Sequence, residues 1–178
     1  RESPRVGILG TLAGDTRERD MSFLDYSFAA DIAPDAGTLL FDEEGEAGGA
    51  NYTVFIRKAD RSPVVRLGEG NALAISPDGK WALSMMPAPH SPLRLLPTGT
   101  GDPRVLAAQG VSPEQAAAWL PDSRGVVFAG SEPDHELRLH VQGSTGTKRR
   151  ATTREASVAR VAGLPLTPPG TSVPEACH

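Results

Sequence analysis

The side chains that could do chemistry are few and scattered. Four carboxylates crowd into Asp42-Glu43-Glu44-Gly45-Glu46. Hard cations take oxygen ligands, so a Ca²⁺ loop is one reading of that run. It lacks the D-x-D-x-D-G alternation of an EF-hand, and it stands where an apolar run hands over to glycines. A solvated hairpin loop is the better reading. The histidines His90, His135, His140 and His178 have no Cys or His partner at zinc spacing. They read as surface or loop residues. The single cysteine, Cys177, cannot form an internal disulfide. Neither a G-x-S-x-G elbow nor a dinucleotide or phosphate-binding glycine fingerprint is present, and the kinase catalytic set is missing. The sequence therefore assigns no catalytic, cofactor-binding or metal-binding residue. Lys148-Arg149-Arg150-Ala151-Thr152, the one basic patch, reads as an exposed turn between strands rather than a kinase target.

The spacing of turn residues carries more. A Pro-Asp-Gly-like turn between apolar runs occurs four times, in DIAPDAGTLLF, LAISPDGKWAL, AAWLPDSRGVVF and LPLTPPGTSV. Its residues are Pro34, Asp35 and Gly37; Pro77, Asp78 and Gly79; Pro121 and Asp122; and Pro168 and Gly170. The four prolines stand 43, 44 and 47 residues apart. A fixed step in that range marks an array of one supersecondary unit. Asp-Gly is a strong hairpin signal because glycine accepts positive φ without a Cβ clash.

The second copy predicts four strands: Ala72 to Ile75, Trp81 to Leu83, Leu93 to Leu96, and Pro103 to Leu106. The first copy continues with YTVFIRK and PVVRL, and the third with LRLHV and Lys148 to Thr152. Arg5 to Leu12 and Thr16 to Leu24 read as the last two strands of a preceding unit. Ser112 to Trp119 is the best helix candidate, but the period makes it a lead-in to the next strand with at most a short helical turn. Four short antiparallel strands per ~43 residues mark a β-propeller blade. The expected fold is all-β, a partial β-propeller of about four blades, each a four-stranded antiparallel sheet. Expected boundaries are 1–27 for a last half blade, 28–70, 71–112 and 113–156 for three blades, and 157–178 for a degenerate further start. Trp81 and Trp119 flank equivalent turns and are expected to pack between blades.

Composition narrows the function classes. Nineteen Gly and 16 Pro favour short strands and turns over long helices. A net charge of −4 argues against nucleic acid, which needs a basic face to displace counterions. No apolar run approaches the ~18 residues of a membrane span, so no direct membrane insertion is expected. The chain opens Arg1-Glu2-Ser3-Pro4 without a signal peptide or initiator Met, which reads as part of a larger multidomain chain. Six or seven blades at ~43 residues would need roughly 260 to 300 residues, more than are present.

AISPDGKWAL (Ala74 to Leu83), WLPDS (Trp119 to Ser123) and GDPRVL (Gly101 to Leu106) resemble the blade motifs of TolB-like, WD-repeat-like β-propellers. ERDMSFLDYS, TLLFDEEGEAGGANYTVFIRKAD and VRLGEGNALAISPDGKWAL more narrowly resemble the C-terminal propellers of bacterial serine/threonine protein kinases. That likeness implies a non-catalytic sensor or interaction module on the extracytoplasmic side of a membrane, following a kinase domain that lies outside this chain. Propellers of prolyl-oligopeptidase-type peptidases and periplasmic TolB-like scaffolds are the alternatives. The partner, protein or small molecule, is not specified, and no cofactor is implied. Propeller geometry would put a binding surface on the loops entering each first strand and on those joining second to third strands, such as Asp42 to Asn51 and Met86 to Pro92.

Overall fold

The computed structural model describes residues 5–11, 15–60, 62–107, 110–143 and 148–151. These residues form one two-stranded sheet and three four-stranded sheets, with a single 3₁₀ turn at Glu46–Gly48 and no α-helix. The short sheet pairs β1 (Leu9–Gly10) with β2 (Arg19–Asp20). The first blade contains β3 (Ser27–Ile32), β4 (Thr38–Glu43), β5 (Thr53–Lys58) and β6 (Val65–Glu69). The second contains β7 (Asn71–Ile75), β8 (Trp81–Met85), β9 (Leu93–Pro97) and β10 (Arg104–Leu106). The third contains β11 (Ser112–Trp119), β12 (Gly125–Ser131), β13 (Arg138–Gly143) and β14 (Lys148–Arg150). Each blade is an antiparallel meander in chain order. β7 touches both β3 and β11, so the first strands of the three blades lie side by side.

The repeated turn is built the same way three times. Ala36 donates its N–H to Ala33, Gly79 to Ser76 and Ser123 to Leu120, each closing a turn with proline at its second position. Proline fits there because its ring fixes φ near the value the turn needs. The aspartate that follows accepts the N–H two residues on: Gly37 to Asp35 at 2.8 Å, Lys80 to Asp78 at 3.2 Å, and Arg124 to Asp122 at 2.9 Å. Between them one residue takes positive φ: Ala36 at 52°, Gly79 at 69° and Ser123 at 58°. In the first copy the left-handed residue is therefore Ala36, and Gly37 supplies the N–H that the aspartate caps. A side chain in that conformation costs ~1 kcal/mol, which only Gly79 avoids. The fourth copy, with Pro168 and Gly170, lies outside the described residues.

The first strands also share an irregularity. The β3–β4 register slips between Ala29 and Asp31, and the β7–β8 register between Ala72 and Ala74. The residues skipped, Ala30 and Leu73, are again 43 apart. A bulge adds local twist, which suits blades fanned about an axis. The β11–β12 pairing breaks between Pro113 and Ala117. Ser112 to Trp119 is thus the first strand itself, not a helical turn leading to one. Its early proline is tolerated because the ladder is interrupted just beyond it.

Packing explains why the second strands read as unbroken apolar runs. Each central blade face is buried, so both faces of the strand need apolar side chains. In β4, Leu39 and Phe41 pack with Met21 and Phe55 toward the N-terminal strand pair. Leu40, between them, points the other way and joins Val54, Ile56, Ile75, Ala82 and Leu96 in the seam between blades one and two. Leu83, Leu93, Leu95, Trp119, Val126 and Phe128 fill the seam between blades two and three. Trp81 packs at that seam's edge, with the Arg104 guanidinium 4.7 Å from its ring centre. Both tryptophans lie between blades.

The N-terminal pair is shorter than the sequence pattern implies. Among the described residues two per strand pair, and Val6 bridges Tyr26 in parallel instead of extending the ladder. Ile8 N–H donates to the Ser22 hydroxyl at 2.8 Å, so a side chain replaces the missing backbone partner.

Candidate functional site

The loops joining second to third strands, and the entries to β7 and β11, meet at the end of the blades opposite the Pro-Asp turns. Between them lies a polar cleft of about 750 Å³. Glu44 and Tyr52 come from the first blade, Asn71 and His90 from the second, and Ser112 and Glu114 from the third. The cleft falls within the usual range for ligand sites. Among the described residues, no lysine or arginine lines it.

Local geometry presents these side chains at some conformational cost. Tyr52 has φ 58° and His90 φ 57°, and the corresponding loop of the third blade holds Asp134 at 60°. A bulky residue at positive φ is an outlier that persists only where its surroundings determine it. Tyr52 is held by its N–H to the Gly49 carbonyl at 3.1 Å. The 3₁₀ turn before it folds against β4 so tightly that a Cβ on Gly48 would stand 2.0 Å from the Glu43 carbonyl oxygen. His90 is fixed across the blade seam, its Nδ1 2.8 Å from the Ser112 hydroxyl.

Beneath the cleft, the acidic run is not the solvated loop its composition implies. Asp42 and Glu43 complete strand β4 and are 4% and 1% exposed. Asp42 Oδ2 accepts the Ala72 N–H at 3.1 Å and the Asn71 amide at 3.2 Å. The same Asn71 amide nitrogen donates to Glu44 Oε1 at 2.9 Å, so the second blade clamps two carboxylates of the first. Burial pushes the Asp42 carboxyl up to about 6; the Ala72 and Asn71 hydrogen bonds oppose that rise and the Glu44 charge adds to it. Glu43 points to the other face. It accepts the backbone N–H groups of Leu24 at 3.0 Å and Tyr26 at 3.3 Å and the Ser27 hydroxyl. It ties the N-terminal segment to the blade.

One of the histidines also differs from expectation. His90 and His135 are exposed, but His140 is 1% exposed and stacks on Phe128 with ring centres 5.6 Å apart. A histidine in mid-strand facing a phenylalanine across the sheet is a core residue. His178, Cys177 and Thr152 lie outside the described residues. Among the described residues, no three His, Cys, Asp or Glu side chains gather as metal ligands would. No helix among them is long and apolar enough to cross a membrane.

The turn residues singled out by the repeat sit at the far end. Pro34, Asp35 and Gly37, Pro77, Asp78 and Gly79, and Pro121 and Asp122 form the hairpins between first and second strands. Asp78 N–H donates to the Ser123 hydroxyl at 3.0 Å, joining the turns of adjacent blades. The Ser76 hydroxyl holds the Asp78 carboxyl below its ordinary range. None of these turn residues lines the cleft, which draws on residues that the repeat does not mark.

This arrangement is similar to solved propellers. A TolB structure from Agrobacterium tumefaciens superposes with a TM-score of 0.60 at 16% identity, covering 75% of this chain and 51% of its own. TolB from Acinetobacter baumannii gives 0.60 at 17% identity, covering 76% and 35%. The likeness is one of fold. The chain is all-β and forms a partial β-propeller, spanning about half of one of these proteins and about a third of the other. No family model matches the sequence, and no curated protein matches it.

Proposed function

We propose that this chain is a non-catalytic binding segment of a larger propeller, taking a partner polypeptide or ligand at the cleft between the strand-joining loops. The observation that carries this reading is the convergence of three blades' loops on one polar cleft, two of them holding Tyr52 and His90 at positive φ. Bulky side chains at positive φ persist only where their surroundings fix them, and here two of them face one cleft. The parent protein on this reading is a bacterial serine/threonine protein kinase, for which the propeller is the sensor or docking module. Support for that parent comes from the sequence stretches Glu18 to Ser27, Thr38 to Asp60 and Val65 to Leu83.

A second reading, a TolB-like periplasmic scaffold, draws on the fold likeness to the two TolB structures. Sequencing the reading frame around this segment separates the two. The kinase reading expects a kinase domain upstream, with its Gly-rich loop and catalytic Asp. A signal peptide followed by propeller blades alone supports the scaffold. A G-x-S-x-G segment downstream would mark a peptidase and overturn both.

A further inference from the structure

The cleft among the strand-joining loops carries charge of one sign. Glu44 lines it from the first blade and Glu114 from the third, and Tyr52 adds an aromatic ring. Its walls come from three consecutive four-stranded blades, so its form does not depend on an end of the chain. Glu114 is exposed there and Glu44 half-buried. Among the described residues, neither glutamate has an ion-pair partner.

Asp42 adds a third carboxylate from below. It is 4% exposed and is tied to Glu44 through the Asn71 amide, which donates to both. It too forms no ion pair among the described residues. Burying an ionised carboxylate is costly unless an opposite charge offsets it. The hydrogen bonds from Asn71 and Ala72 supply dipoles but no countercharge. A cleft lined by charges of one sign also focuses their field and concentrates the opposite charge within it. The occupant that offsets these carboxylates is a cation.

A metal ion fits poorly. It needs several oxygen ligands at one point, and no three His, Cys, Asp or Glu side chains among the described residues gather so. A guanidinium or ammonium group needs only one or two carboxylates and is attracted to an aromatic face, which Tyr52 offers. At about 750 Å³ the cleft exceeds one such side chain and has room for several residues of chain. On the reading that this cleft is the binding site, we propose that its occupant is a basic polypeptide segment. Its arginine or lysine side chains are drawn to Glu44 and Glu114, with Asp42 reinforcing the field from beneath.

Isothermal titration of the 178-residue chain at pH 7 and low salt tests this. The probes are end-capped peptides Gly-Ser-X-Ser-X-Ser-Gly in which X is arginine, citrulline or glutamate. The arginine peptide should bind at least tenfold more tightly than the citrulline one, which keeps its shape without the charge. The glutamate peptide should not bind. Glu44→Gln and Glu114→Gln should each weaken the arginine peptide roughly three- to fivefold and leave the citrulline peptide unchanged. Asp102→Asn removes the same charge from an exposed turn at the other end of the blades and should have no effect. Ala88→Trp obstructs the cleft without altering its charge and should abolish binding. Circular dichroism of each variant confirms that the fold is retained. Equal binding of the arginine and citrulline peptides, both blocked by Ala88→Trp, would overturn the cationic occupant and leave the cleft as the binding site. Binding of the arginine peptide that Ala88→Trp does not change would overturn both. No binding of the arginine peptide, or equal losses with Asp102→Asn and Glu114→Gln, would also overturn the proposal.

Discussion

Replacing Glu43 with alanine is expected to destabilise the protein by about 3 kcal/mol, the largest effect of any single carboxylate among the described residues. Glu43 is 1% exposed and satisfies three donors at once, the N–H groups of Leu24 and Tyr26 and the Ser27 hydroxyl. Each donor stranded away from water costs ~1–3 kcal/mol, and solvent reaching the partly buried pair offsets some of that. The segment carrying these donors also places Met21 against Phe41 and Phe55. Its release would therefore loosen an apolar contact as well as a polar one. Urea unfolding reads the loss, and hydrogen exchange should speed up at Val6 and Ser27, which pair with that segment. A change below ~1 kcal/mol would mean that the carboxylate is not the tie.

Asp42→Asn should act in the opposite direction. Burial holds the folded Asp42 carboxyl at about 6, above its ordinary value of 3.8. A raised value means that the folded state holds the proton more tightly than the unfolded chain does. The resulting stabilisation is fully present below 3.8 and is lost as pH rises through 6. At pH 7 the wild type thus carries an ionised group in a site that favours the neutral form. The shift corresponds to on the order of 3 kcal/mol, reduced to roughly 2 kcal/mol by solvent at the cleft rim. Asparagine keeps an oxygen for the Ala72 N–H and removes the charge beside Glu44. Asp42→Asn should accordingly be more stable than wild type at pH 7 by about that amount, with the two converging near pH 4. Urea midpoints measured across that range give the answer; a variant less stable than wild type at pH 7 would contradict it.

The two aspartate sites show what the sequence could and could not convey. Asp35, Asp78 and Asp122 were legible because their partners lie two residues away, so the chain itself specifies the turn. Asp42 and Glu43 were not, because their partners lie 16 to 30 residues away in other elements. Local composition there reads as a charged loop, and only the folded chain brings donors to those carboxylates. Ser112 to Trp119 misled for a related reason. Its alanines and glutamate favour helix, but pairing with Gly125–Ser131 outweighs propensity. His140 gave no readable signal. In LRLHVQ the alternation sets it with Arg138 and Gln142 on the polar positions. Only the folded register, which puts it opposite Phe128, shows it in the core. The cleft was legible only as a set of loops. That Tyr52, Asn71, His90 and Ser112 share one cavity depends on three blades lying side by side.

The central claim is that one end of the blades binds and the other end frames. Site-specific photocross-linking in the native cell tests it most directly, with a photoreactive residue at Ala88 in the cleft and, as control, at Lys80 in a Pro-Asp turn. The account predicts a discrete protein or ligand adduct from Ala88 and none from Lys80. Adducts of equal yield from both ends, or adducts from Lys80 alone, would contradict it.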